Sequence, residues 1–181
     1  MIETIRIGRL LRETVAAPYR NLVTRPTGAA VRSSIEEALA RSTCHTAFLD
    51  FSDIDLLDFS CADEVVAKLL LANTERGVRF LVLQGLREDQ HEAIEHVLTH
   101  HRLVMIALPG DEQGVPRLLG WVSADARTAF AYVCELGPMS ATDLARALGW
   151  SDARSRDALQ ALERDRLVRP EGELFHSLPI T

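Results

Sequence analysis

Apolar positions recur along this chain with two periods, and the alternation between them sets out a succession of strands and helices. Ile2, Ile5 and Ile7, with polar residues between them, read as a short strand. After a stretch interrupted by Pro18 and Pro26, Thr27 is placed to cap a helix in which Val31, Ile35, Ala38 and Leu39 return at helical spacing, ending near Ser42. Thr46 to Ser52 is a short apolar and aromatic run, which suits a buried central strand better than a helix of so few residues. Asp53, Asp55 and Asp58 mark a loop or a second short extended piece. From Ala62 onward Val65, Val66, Leu69, Leu70 and Ala72 form a wide apolar stripe that Gly77 closes. Arg79 to Leu86 is again a compact apolar run, Asp89 to His101 carries Ile94, Val97 and Leu98 on one side, and Leu103 to Leu108 reads as a strand. Strands alternating with helices imply βαβ crossovers and a mostly parallel or mixed sheet covered by helices. Pro109 to Pro116, with Asp111, Glu112 and Gln113, is turn chemistry, and it divides an α/β domain over residues 1–116 from a second domain over 117–181.

In the second domain the pattern becomes helical three times in close succession. Ser123 caps a helix with Ala126, Ala129, Phe130, Val133 and Cys134 on one face, and Gly137-Pro138 stops it. Ser140 and Asp143 form a capping box for a second helix with Leu144, Ala145 and Leu148 inward, which ends at Gly149. After a very short turn Ser151 caps a third helix, with Ala158, Leu159 and Leu162 inward. Two helices joined this tightly make a helix-turn-helix. Pro170-Glu171-Gly172 then separates Val168 from the run Glu173 to Leu178, a spacing that reads as a β-hairpin.

Composition narrows the setting. The chain has 181 residues, 47% apolar and 25% charged, enough for one large or two small cores. Its longest uncharged apolar stretches fall far short of the roughly 18 residues a membrane span needs. The first residues lack the apolar core of a signal peptide, so a cytoplasmic location is expected, with no membrane partner. Cys44, Cys61 and Cys134 are odd in number and widely spaced, and read as buried reduced thiols. The net charge of −6 is the reverse of the basic surplus typical of nucleic-acid binders. The basic residues are almost all arginine, Lys68 being the only lysine, which favours bidentate contacts to phosphate or carboxylate where contacts are made.

The segments Ala141 to Ser151 and Ala161 to Arg169 resemble the winged-helix transcription-regulator superfamily over about 60 residues. The resemblance implies that the third helix enters the major groove of double-stranded DNA by its N-terminal part while the hairpin, the wing, touches the backbone. Carried onto this chain, Arg154, Ser155 and Arg156 face the bases, Gln160 and Arg164 reach bases or phosphates farther along, and Arg169 or His176 act from the wing. A homodimer is expected, since such modules read paired half-sites. Asp152, Asp157, Glu163 and Asp165 lie among these arginines, and a solvated helix face of mixed charge is the competing reading.

Phe48 to Glu64 resembles the STAS superfamily of sulphate-transporter and anti-sigma-factor-antagonist domains, in its variant with a Ser-x-Ala-Asp-Glu helix start, matched here by Ser60, Ala62, Asp63 and Glu64. The surrounding order of elements extends the resemblance over roughly residues 27–108. It implies a STAS-like mixed sheet with helices, and a loop at Asp58, Ser60, Asp63 and Glu64 that meets a signal or a protein partner. In anti-sigma antagonists a phosphorylated serine directly follows an Asp in this loop; here Phe59 follows Asp58. Ser60 is therefore expected to cap the helix, with Asp63 completing the box.

The acids from Asp50 to Glu64 invite a metal, but their spacing does not match an EF-hand loop. His96 and His100 share a helix face without a convincing third ligand, so partly exposed histidines are expected there. No nucleophile elbow, phosphate-binding glycine loop or His-Glu-x-x-His run is present. No metal, no cofactor and no enzymatic activity are expected. The sequence thus favours a regulator with a STAS-like domain and a DNA-binding winged helix. A protein-protein adaptor in a signalling pathway, using the winged helix for dimerisation or partner binding, is the second reading.

Overall fold

The computed structural model describes residues 1–76, 79–110 and 114–178. Gly77, expected to close a helix, and Asp111, Glu112 and Gln113 of the expected boundary turn lie outside the described residues. The chain divides into two compact units, Met1–Trp121 and Val122–Thr181.

The first unit is built on strand β1 (Ile2–Arg6), which runs directly into helix α1 (Ile7–Val15). The hydrophobic pattern did not foretell α1. Ile7 continues the period-two series of the strand and also begins a helical series, with Ile7 and Leu11 fully buried and Leu10 and Val15 packed against the core. Strand β2 (Asn21–Leu22) precedes α2 (Arg25–Arg41). The N-cap of α2 is Thr24 rather than Thr27, and Pro26 sits in the first turn, where its missing N–H costs no hydrogen bond. Strand β3 (Thr46–Asp50) and the two-residue β4 (Leu56–Leu57) lead into a helix of three consecutive parts: α3 (Phe59–Ala62), a π-helical turn (Asp63–Lys68) and α4 (Leu69–Arg76). Strand β5 (Phe80–Gln84), helix α5 (Glu88–His100), strand β6 (Val104–Ala107) and strand β7 (Arg117–Gly120) complete the unit.

The fold of this unit is α/β with a mixed sheet in the order β1-β3-β5-β6-β7. The first four strands are parallel, with Thr4 opposite Phe48 and Phe48 opposite Val82, and β7 closes the edge antiparallel to β6, with Met105 opposite Leu119. Ala47, Leu49, Leu81, Leu83, Met105 and Leu119 of the sheet join Val31, Ile35, Val65, Val66, Ile94 and Leu98 of the helices in one core. Each such large apolar side chain taken out of water contributes about 1.5–3 kcal/mol. The expected boundary at 116/117 falls five residues early. Residues 117–120 belong to the sheet, where Gly120 N–H donates to Glu95 at 2.7 Å and a Cβ on Gly120 would lie 2.1 Å from Leu103 O.

The second unit contains α6 (Ala124–Leu136), α7 (Ala141–Leu148), α8 (Asp152–Arg164), β8 (Val168–Glu171) and β9 (Leu174–Ser177). Their starts are fixed by side chains: Ser123 Oγ accepts from Ala126 N at 3.1 Å, Ser140 and Asp143 form a reciprocal capping box, and Ser151 Oγ accepts from Arg154 N at 3.2 Å. Gly149 ends α7 with φ of 66°, the left-handed value that a short turn into the next helix requires. Helices α6 and α7 both pack on α8. Strands β8 and β9 form an antiparallel hairpin with Arg169 opposite His176, and Phe175 makes a further bridge to Met139. Among the described residues no helix is long and apolar enough to cross a membrane.

Candidate functional site

On the outward side of α8 the expected contact residues divide. Arg154 is held by a bidentate pair with Asp125, with distances of 2.9 and 2.8 Å, and its guanidinium lies 4.2 Å from the centre of the Trp150 ring. That pairing holds the Asp125 carboxyl below its usual range. Ser155 does not face outward. It is fully buried at the head of the series that buries Ala158, Leu159 and Leu162, and its Oγ has no hydrogen-bond partner, so the expected base contact is corrected to a core position. Arg156 and Gln160 are exposed and make no hydrogen bond or ion pair with the described residues. Arg164 is turned onto its neighbour Asp165 at 3.2 Å. On the hairpin, Arg169 lies 3.7 Å and His176 Nε2 lies 3.5 Å from the Glu171 carboxylate, the latter without a hydrogen bond. Arg156 is thus the cation of α8 left without a partner among the described residues.

In the α/β unit the acidic turn is held together by hydrogen bonds. Asp58, not Ser60, is the N-cap of α3: its Oδ1 accepts from Cys61 N at 2.7 Å and from Ser60 Oγ at 2.8 Å, and its Oδ2 accepts from Thr24 N at 3.0 Å. Burial pushes the Asp58 carboxyl up, but these donors outweigh it and hold the group below its ordinary value. Burial and the neighbouring Asp58 charge push the Cys61 thiol up to about 12, and its Sγ donates to Thr24 O. Such a thiol is an inert packing group at neutral pH. A Cβ on Gly28 would lie 3.0 Å from that sulfur, so glycine lets the start of α2 close onto α3.

The π-helical turn carries Asp63 and Glu64 next to cations of α2. Glu64, only 3% exposed, accepts from Arg25 at 2.8 Å, from Arg32 at 3.3 Å and from Lys68. Asp63 accepts from Arg25 at 2.8 Å and lies 2.7 Å from His101 Nε2. Burial opposes ionisation of both acids, and the cations overcome it, holding both below the ordinary range. Arg25 and Arg32 went unnoticed as site residues in the sequence. Their seven-residue separation, which places both on one helix face, was the available signal. Beside them Arg25, Phe59, Ser60, Asp63, His96 and His100 line a groove of about 490 Å³, with the exposed Phe59 ring 4.9 Å from that of His96.

No protein-family model matches this sequence, and no curated protein is significantly similar to it.

The remaining acids of the turn are dispersed. Asp53 pairs with Arg12 at 3.5 Å, Asp55 with Arg20 at 3.0 Å, and Asp50 accepts from Ser52 N at 3.0 Å. Among the described residues no three of His, Cys, Asp or Glu are grouped to hold a metal ion. The structure therefore brings Asp58, Ser60, Asp63 and Glu64 together in one turn, with Asp63 and Glu64 answered by cations, while Asp53 and Asp55 serve separate ion pairs and Asp50 holds its own turn.

Proposed function

We propose that this chain is a transcription-regulator-like protein, in which the unit from Val122 is a winged helix that grips double-stranded DNA and the α/β unit is a STAS-like domain that receives a signal or protein partner. The observation that carries the reading is Arg156, exposed and without a partner among the described residues, in the first half of the second helix of a tightly joined pair. A groove-entering helix presents that region to base edges. Gln160 lies about one turn farther along α8, and Arg169 on the hairpin supplies a cation for the backbone. In the α/β unit the half-buried Ser60 and exposed Phe59 border an open groove, the kind of surface a partner meets.

Fluorescence anisotropy with random duplex DNA at several salt concentrations tests this. Affinity should fall with salt by about 0.9 log units per log unit for each phosphate neutralised. Arg156→Ala should weaken binding by about tenfold or more, as loss of a groove arginine does. Absence of binding at low salt, or an Arg156→Ala variant that binds unchanged, would sink the DNA reading.

A second reading, an adaptor that uses the same unit for dimerisation or partner binding, is favoured by charge. Residues 122–181 hold seven arginines against nine acids. Two of the three arginines of α8 are also tied to carboxylates. Light scattering separates the readings when set beside the DNA titration: a homodimer that binds duplex supports the regulator, and a homodimer indifferent to DNA supports the adaptor.

A further inference from the structure

At the end of the sheet where β3 and β5 begin, α2 and α4 border a cavity of about 350 Å³. That volume lies within the range of about 300–1,000 Å³ usual for small-molecule sites. Leu39, Ala40, Leu69 and Ala72 give it apolar walls. Among the described residues one strong cation enters it. The half-buried Arg79 guanidinium donates to Ser42 O and lies 3.6 Å from Cys44 Sγ, and both of these groups are neutral hydrogen-bond acceptors. Among the described residues no carboxylate pairs with Arg79. Glu36 also lines the cavity, and its carboxylate pairs with Arg32 at 3.4 Å, a guanidinium it shares with Glu64.

A guanidinium stays charged at any physiological pH, and one drawn partly out of water without a counterion favours an anion with two oxygens to accept its fork. The apolar walls specify what the rest of that anion must be. We propose that this cavity binds a small aliphatic carboxylate, its charged end on Arg79 and its chain between Leu39, Leu69 and Ala72. The site would supply the α/β unit with a signal, since α2 lines the cavity with Leu39 and Ala40 and holds Glu64 with Arg25 and Arg32. The inference does not depend on whether the other unit binds DNA.

Isothermal titration of the full chain with hexanoate, hexan-1-ol and hexylamine tests it. Hexanoate should bind saturably and about tenfold or more tighter than the alcohol or the amine, as a charge-assisted hydrogen bond commands. Arg79→Gln should remove that preference. Because Arg79 also ties down Ser42, Ala72→Leu serves as a second variant that fills the cavity while keeping a helix-forming residue, and it should abolish binding with the fold retained by circular dichroism. The proposal is overturned if hexanoate fails to bind at millimolar concentration, if the alcohol binds as tightly, or if a folded Ala72→Leu variant binds like the parent.

Discussion

Glu64 is nearly sealed from water and answered by three cations on two segments of the chain, and a neutral substitute would remove the one carboxylate common to all three, leaving them Asp63 and Glu36. Glu64→Gln should lower stability by about 2–4 kcal/mol in urea unfolding, below the upper end for a fully buried pair because Arg25, Arg32 and Lys68 keep part of their surface in water. An unchanged midpoint would mean that the cluster is incidental to folding. Asp63 and Glu64 were readable from the sequence as a helix-start motif, but their partners were not. Arg25 and Arg32 stand 39 and 32 residues away, and only the tertiary closure of α2 onto the π-helical turn unites them. Ser155 failed for a different reason. It belongs to the same i, i+3, i+4, i+7 series as Ala158, Leu159 and Leu162, and its hydroxyl disguised a position that the helical period assigns to the interior.

Two glycines separate backbone freedom from packing at the level of elements. Gly149, with φ of 66°, has nothing within 4 Å of an added Cβ, so Gly149→Ala should cost about 1 kcal/mol of conformational strain. Gly120, with φ of 110°, would bring its Cβ to 2.1 Å from Leu103 O, and neither strand can yield without breaking the β6–β7 ladder. Gly120→Ala should therefore destabilise the protein several times more than Gly149→Ala, as compared by urea midpoints. Equal effects would contradict the close approach. Elements with long apolar series, α2, β3, α5 and α6 to α8, were legible because a single period dominates each. Helix α1 was hidden at a junction where Ile7 fits two periods, and β7 was hidden because four residues with Arg117 at one end carry too little pattern.

Across the whole molecule, carboxylates held below their ordinary values make the folded state sensitive to acid. Asp58, Asp63 and Glu64 in one unit, and Asp125 and Asp143 in the other, release protons more readily folded than unfolded. The unfolded chain thus takes up protons first as pH falls. Their stabilisation is complete above about pH 4.5 and is lost as pH drops through the lower folded values. His91 adds an earlier step. Burial, and then Arg117, lower it from 6.5, so its contribution is complete above that value and declines below it. Urea midpoints should fall gently from about pH 6.5 and steeply below about pH 4. His91→Gln should flatten the first part alone, and a midpoint indifferent to pH between 7 and 5 in the parent would refute that assignment.

The π-helical turn between Asp63 and Lys68 accommodates one residue more than a regular spiral would hold. Removing a single codon there would restore a regular spiral and leave the faces on either side of the deletion nearly in phase, since the wide turn spends about the same rotation on one residue more. Such a shortened gene should still encode a folded helix, with Glu64 and Lys68 brought to a three-residue spacing that one helix face also allows. The length of this one segment can thereby change by a residue without re-aiming the helix around it.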